Sequence, residues 1–356
     1  MKNKFNIAPL KVSICIPTYN RSTHLANCLN SISICKLNSD LEFQVCVSDN
    51  HSTDGTEAVV KNFQSTLNIK YYKNRSNLGH ARNFLNVVSM ADGEFIWLIG
   101  DDDLLMPQAI QSLYKLFDGH PDVDFFYVNS FHLTTEYIKK YPAPFNTSNL
   151  PDDMVPFSKW TAAGEMPFFQ LIDPKISFDF LGGMFLSVFR KKHWDQNTYI
   201  LNQRAIHDGR TFSHFDNTFP HLKIFAKAFS NSKAYFNNQP LNVCLTGARE
   251  WAPMGGLVMS VRLIEALDEY RLNGLSLWRY IYCKNYALNN FAQDFIYMMI
   301  NKKNSGYVYI NPIKLLFKSF LYPNFYISFF YFIGRKIRGF SMRVYNYVRF
   351  LRKSFV

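Results

Sequence analysis

Apolar and polar positions along the first 130 residues alternate between two periods. Val12 to Ile16 is a β-branched run ending at Pro17, and Leu25, Cys28, Leu29 and Ile32 follow at the i, i+3, i+4, i+7 spacing of one helix face. Phe43 to Val47 predicts a second strand ending at Asp49, and Val59, Val60 and Phe63 predict the next helix. Ile69 to Tyr72 reads as a short third strand, and Ala81, Phe84, Leu85 and Val88 mark a third helix. Phe95 to Ile99 is a fourth strand. Pro107 suits the start of a helix carrying Ile110, Leu113 and Phe117, and Val123 to Val128 is a fifth strand. Such a βαβ series predicts an α/β fold, a mostly parallel sheet flanked by helices.

Residues 131–180 lose the period and gather Pro, Asn, Thr and Asp, so they read as a long excursion or substrate loop. Order returns with a strand over Met184 to Phe189, a helix carrying Phe219, Leu222, Ala226 and Phe229, and a short strand near Ala234 to Phe236. From Leu257 to about Ile300 the pattern is helical throughout, and an aromatic, basic tail follows. The expected division is therefore residues 1–250 and 251–356.

Composition sharpens the contrast between the two parts. The formal net charge is +12, yet no acidic residue follows Asp294, and residues 295–356 carry eleven basic ones: Lys302, Lys303, Lys314, Lys318, Arg335, Lys336, Arg338, Arg343, Arg349, Arg352 and Lys353. That leaves about +1 for everything before the tail. Six cysteines form no CxxC pair and no zinc spacing, and Met1 to Leu10 does not resemble a signal peptide, so a reduced, cytoplasmic setting is expected.

Candidate chemistry gathers at predicted strand ends, where open α/β sheets bind ligands. Strand four runs straight into Gly100-Asp101-Asp102-Asp103. Like charges this close repel and raise one another's pKa, and a divalent cation shared with a phosphate substrate removes that cost. Two further polar clusters follow strands one and two: Pro17-Thr18-Tyr19-Asn20-Arg21, and Asp49-Asn50-His51-Ser52-Thr53-Asp54-Gly55-Thr56. Each cluster alone is compatible with an ordinary turn. Their recurrence at successive strand ends points to a shared metal-diphosphate site.

These clusters, with Asn77-Leu78-Gly79, Arg82-Asn83 and Gly93-Glu94 before the Asp triplet, resemble the family 2 glycosyltransferases of GT-A fold over roughly Lys11 to Phe229. The Gly100-Asp101-Asp102-Asp103 form, with Phe185 to Arg190 and Trp194 further on, resembles the branch that adds deoxysugars to bacterial O-antigen repeats, of the abequosyltransferase type. The resemblance implies a GT-A catalytic unit over residues 1–250 that binds a nucleotide-sugar through the Pro17–Arg21 loop, Asn20 and Arg21 included. Pro17 and Tyr19 would line the base pocket, Asp49 would accept a hydrogen bond from the base, and Arg82 would lie near the diphosphate. Asp101 would hold the ribose or a metal-bound water, while Asp102 and Asp103 would face Mg²⁺ or Mn²⁺. The reaction implied is inverting transfer, with nucleoside diphosphate leaving and a carboxylate base acting on the acceptor hydroxyl. Asp216 best matches the family's base position, with Asp208 second. Asp216 also suits a helix N-cap, and the family's Glu-Asp pair is missing here.

His207, His214 and His221 recur every seven residues, but Pro220 breaks a common helix face, which argues against zinc. In the tail, the longest uncharged run, Ser319 to Gly334, is too short to span a bilayer and contains Pro323. Aromatics flanked by Lys and Arg suit the membrane interface. The competing readings are a helical pair packed on the catalytic unit, or nucleic-acid binding, for which no motif is present. The expectation is a peripheral enzyme on the inner face of the cell membrane, acting on a lipid-linked glycan acceptor. Alternatives are a nucleotidyltransferase, which releases pyrophosphate, or a non-catalytic nucleotide-sugar-binding module.

Overall fold

The computed structural model describes residues 10–247 and 250–354, with side chains to Arg338; the N-terminal stretch before Leu10 and the side chains of Arg343, Arg349, Arg352 and Lys353 lie outside the described residues. Its framework is a sheet of ten strands: β1 (Val12–Thr18), β2 (Gln44–Asp49), β3 (Ile69–Lys73), β4 (Phe95–Leu98), β5 (Leu104–Leu105), β6 (Phe125–Thr134), β7 (Val155–Pro156), β8 (Gly164–Pro167), β9 (Ser187–Arg190) and β10 (Lys233–Thr246). The order β3-β2-β1-β4-β9-β6-β10-β5 sets β1 beside β4 in the interior of the sheet, with β7 on β6 and β8 on β10. β3, β2, β1 and β4 pair in parallel, as do β6 and β10. β9 runs antiparallel between β4 and β6, so the sheet is mixed: six of the ten strands run one way, and β5, β7, β8 and β9 run the other.

The helices that matter to the site are α1 (Ser22–Leu37), α2 (Thr56–Phe63), α3 (His80–Ser89), α4 (Ala109–Gly119), α5 (Phe215–Thr218) and α6 (Pro220–Ala228). The predicted stripes are the faces that become buried: Leu25, Cys28, Leu29 and Ile32 of α1, and Ala81, Phe84 and Val88 of α3. Central strands are buried on both faces, which is why they read as continuous apolar runs.

The structure differs from the sequence expectation in three places. β6 runs on to Thr134, and the 131–180 excursion adds the short edge strands β7 and β8. The strand expected near Ala234 to Phe236 extends over fourteen residues, its register with β6 shifting around Pro240, where the ladder loses an N–H donor. The helical stretch beyond Leu257 is segmented into α7 (Leu263–Leu272), α8 (Leu277–Ala287), α9 (Phe291–Ile300), α10 (Pro312–Ser319) and α11 (Pro323–Ser354). The α7–α8 break falls at Gly274, whose φ of +116° favours glycine. These helices share one continuous core with the sheet, from Val12 to Leu315.

Candidate active site

Because β1 and β4 are neighbours, the loops leaving their carboxyl ends meet. Thr18 Oγ1 donates to Asp101 Oδ2 at 2.7 Å, and the Arg21 guanidinium reaches Asp101 Oδ1 at 3.2 Å and Asp102 Oδ2 at 2.9 Å. Burial pushes the Asp101 carboxyl up to about 7, outweighing the downward pull of Arg21, and the Asp102 charge adds to the rise. Asp103 turns back on its own loop, where Oδ2 accepts the Gly100 N–H at 2.7 Å. A Cβ on Gly100 would stand 2.6 Å from Asp102 Oδ1 and 3.1 Å from Asp103 Oδ2, so the close packing of the carboxylates requires that glycine.

The loops after β1 and β2 are stitched together. Asn20 holds a left-handed φ of 51°, its N–H donates to Ser52 Oγ at 2.8 Å, and its Oδ1 accepts the Thr53 N–H at 2.8 Å. Asn20 therefore shapes the loop that carries Tyr19 and Arg21. The non-glycine residues of positive φ, among those described, are Asn20, His51, Phe180, Leu181 and Phe212. All five sit in loops around this edge, the usual place for backbone strain tied to a site.

These loops frame a cavity of about 570 Å³. Pro17, Tyr19, Arg21 and Asp101 to Asp103 line one side, and Tyr19 is 41% exposed at its mouth. Asp49 stands apart from the lining. It is fully buried, with Oδ1 accepting the Ser52 N–H and Oδ2 the Tyr71 O–H, each at 2.7 Å. The neighbouring Asn50 lines the cavity instead, held by Asn77 and by the Leu78 N–H. Arg82 is half-buried on α3 and off the lining, whereas Ala81, Asn83 and Phe84 of the same helix are on it.

The opposite wall comes from a stretch in which the sequence showed no period. Asp179 is buried, accepting from Ser177 Oγ and from the Gly183 N–H at 2.7 Å each, and this fixes the left-handed pair Phe180 and Leu181. Burial raises its carboxyl above the ordinary range. Next to it, His221 Nε2 lies 3.2 Å from Gly182 O, while Nδ1 has no partner. Burial holds that imidazole down to about 3, so it is neutral. Gly182-Gly183 ahead of β9 and His221 after Pro220 were the available sequence signals.

Of the two base candidates, Asp208 lines the cavity and Asp216 does not. Asp208 is gripped by Arg210, Ser213 and His214, and Arg210 holds its carboxyl well below the usual range. Asp216 accepts the Asn202 N–H at 2.6 Å and pairs with Lys223 Nζ at 2.9 Å, while Asn217 and Thr218 beside it reach the cavity. Arg262, 3% exposed, clamps the same wall by donating to the Phe212 and Ser213 carbonyls.

The three spaced histidines diverge: His207 goes to Gln203 O, His214 to Asp208 and His221 to Gly182 O. Among the described residues no three His, Cys, Asp or Glu side chains converge on a metal position. Asp102 and Asp103 line a cavity large enough for a ligand, Asp102 Oδ2 held by Arg21 and Asp103 Oδ2 by the Gly100 N–H. Carboxylates of this kind are hard oxygen donors, and Mg²⁺ commonly takes one or two of them plus substrate phosphate oxygens.

Residues 13–184, just under half of the chain, match the sequence model of Glycosyl transferase family 2. Abequosyltransferase RfbV of Salmonella typhimurium is 44% identical over 115 residues, covering 32% of this chain and 34% of that protein. A GalNAc(5)-diNAcBac-PP-undecaprenol beta-1,3-glucosyltransferase of Campylobacter jejuni is 36% identical over 108 residues, covering 30% and 34%. Each alignment thus spans about a third of the relative's own length. In fold, the chain is similar to Staphylococcus aureus TarS 1–349, with a TM-score of 0.53 and 16% identity over 84% of this chain and 74% of that one. The matched residues include the elements that build the acidic edge, so this part of the chain is similar to Glycosyl transferase family 2 in sequence, and the chain is similar to a GT-A glycosyltransferase in fold.

Proposed function

We propose that this protein is an inverting, metal-dependent glycosyltransferase that moves a sugar from a nucleotide-sugar to a hydroxyl of a lipid-linked bacterial surface glycan. The observation that carries the reading is the Asp101–Asp103 loop, facing a cavity at the carboxyl edge of a family 2 domain. The names of the relatives support the substrate class: one is an abequosyltransferase, and another names an undecaprenol-diphosphate glycan. TarS is named as a poly(ribitol-phosphate) beta-N-acetylglucosaminyltransferase.

In this reading residues 1–250 form the catalytic unit and residues 251–356 a helical region that meets the membrane surface. Tyr19 and Pro17 offer an apolar flank to the base, and Asn50 takes the polar contact that sequence reasoning gave to Asp49. Asp102 and Asp103 would hold Mg²⁺ or Mn²⁺, which would supply positive charge to offset that of a leaving diphosphate. Arg21 bridges the carboxylates and moves onto a phosphate oxygen when the donor arrives, which keeps the loop's charge balanced. Aromatic and neutral groups on the far wall, Phe178, Phe185 and His221, exclude water around the sugar.

Asp216 is the proposed base, taking the proton of the acceptor hydroxyl once Lys223 is released. Asp208 is the second reading, favoured by its place on the cavity wall. Asp216→Asn and Asp208→Asn separate them. The base variant should lose about 10²- to 10⁴-fold in kcat with nucleotide affinity unchanged. Equal, small losses in both would remove the base assignment altogether.

A further inference from the structure

The tail contains an apolar cleft that the transfer reaction does not use. Ile313, Leu316, Phe317 and Phe320 fall at i, i+3, i+4 and i+7 along α10 and its C-cap. A stripe of that spacing normally faces the core. Here the inward residues are Leu315 and Ser319, while Ile313 and Phe317 are 67% and 68% exposed. The four stripe residues and Phe325 line a cleft of about 350 Å³ between α10 and α11, with no polar side chain among them.

α11 repeats the arrangement. Phe325 and Phe329 turn inward onto Phe291, and Ser328 is buried with them. Tyr326, Phe330, Ile333 and Ile337 form a second stripe that is 50 to 75% exposed. Soluble monomers seldom leave contiguous apolar surface of this kind in water. The face is built to be covered.

Charge selects what covers it. Lys314, Arg335, Lys336 and Arg338 stand exposed among these apolar residues, Lys318 is paired with Asp268, and no acidic residue follows Asp294 in the sequence. Two copies meeting through this face would set cation against cation. An anionic lipid layer reverses that sign. No helix among the described residues is long and apolar enough to cross a membrane, so the contact lies in the interface plane.

We infer that the cleft between α10 and α11 takes a hydrocarbon chain of an anionic bilayer phospholipid, with Lys314, Arg335, Lys336 and Arg338 on the headgroup phosphates. This deepens the membrane-surface part of the proposed function and is independent of the transfer chemistry. The six native cysteines are buried and form no disulfide, so Ile313→Cys supplies a single exposed thiol for an environment-sensitive NBD dye. The full-length labelled protein is mixed with phosphatidylglycerol-containing vesicles, with and without spin-labelled acyl chains.

The expected result is a blue-shifted emission that the acyl-chain label quenches. Phe317→Ser/Phe320→Ser should cut vesicle co-sedimentation at least tenfold, leaving nucleoside-diphosphate binding in solution unchanged. Co-sedimentation without acyl-chain quenching overturns the cleft and leaves headgroup attraction alone. A blue shift that needs no vesicles and grows with protein concentration overturns it in favour of a second copy. Absence of co-sedimentation overturns surface association and cleft together, whereas loss of donor binding in the wild type bears only on the enzyme reading.

Discussion

At the carboxyl edge of the sheet, Asp101 is 3% exposed and tied to Thr18 and Arg21; on the outer face of α10, Phe317 is 68% exposed and lines an open apolar cleft. The first region buries charge and satisfies each carboxylate from within the chain. The second leaves apolar surface outside and surrounds it with cations that no nearby sequence acid balances. A buried charge without a partner costs several kcal/mol, so the site must be built in the folded protein before any ligand comes. Exposed apolar surface carries a smaller, distributed cost and can wait for a membrane. The site is thus built within the chain, whereas the proposed lipid contact would cover the tail's apolar face.

The sharpest way to break this comparison is to remove charge from the site without removing shape. Asp102→Asn should lower transfer about 1000-fold, equivalent to roughly 4 kcal/mol of transition-state stabilisation, with the circular-dichroism melt nearly unchanged. A melt lowered by ten degrees would make Asp102 a structural residue.

Asp49 should behave in the opposite way. Both its oxygens are committed to Ser52 and Tyr71, so Asp49→Ala should cost about 3 kcal/mol in denaturant unfolding by stranding two buried donors. Nucleotide binding would weaken only in proportion to the unfolded fraction.

Asp101 gives a pH test. Its carboxyl rises from the ordinary 3.8 to about 7 in the folded protein, so the folded form binds that proton more tightly than the unfolded chain. The resulting stability is present below pH 4 and lost as pH rises through 7. Asp101→Asn should therefore raise the melting temperature at pH 8, by about 2 kcal/mol of stability, with the gain vanishing near pH 4. A gain independent of pH would point to repacking.

The smallest effect belongs to the tail. Phe317→Ser should change unfolding free energy by less than about 0.5 kcal/mol, since its ring is already in water. A loss of several kcal/mol would place Phe317 in the core and remove the contrast.

Legibility in the sequence follows the same physics. β1, β2 and β4 are buried on both faces, so their apolar runs were unambiguous, and the helix stripes of α1 and α3 matched their buried faces. β10 was harder, because Asn237, Asn238 and Pro240 break its pattern where the register shifts. The acidic loop stands out in the sequence because clustered carboxylates have few structural reasons to exist, and its place on the cavity wall follows from the neighbouring ends of β1 and β4. Asp49 was placed correctly at a strand end, but its direction depends on Tyr71, 22 residues away. The far wall, from Asp179 to Gly183 with His221, is held by turns and long-range contacts that leave no period. Likewise, a stripe at helical spacing announces a helix in α10 without saying which side faces the core.

The central claim concerns the ion and the departing group at the Asp101–Asp103 loop. Its most direct test is to incubate the protein with a panel of nucleotide-sugars and a glycan-lipid extract, in Mg²⁺ or Mn²⁺ and in EDTA, and to identify the phosphate product. The account predicts nucleoside diphosphate from the wild type with metal, and almost none in EDTA or from Asp102→Asn. Release of pyrophosphate, or undiminished turnover in EDTA and in Asp102→Asn, would contradict it.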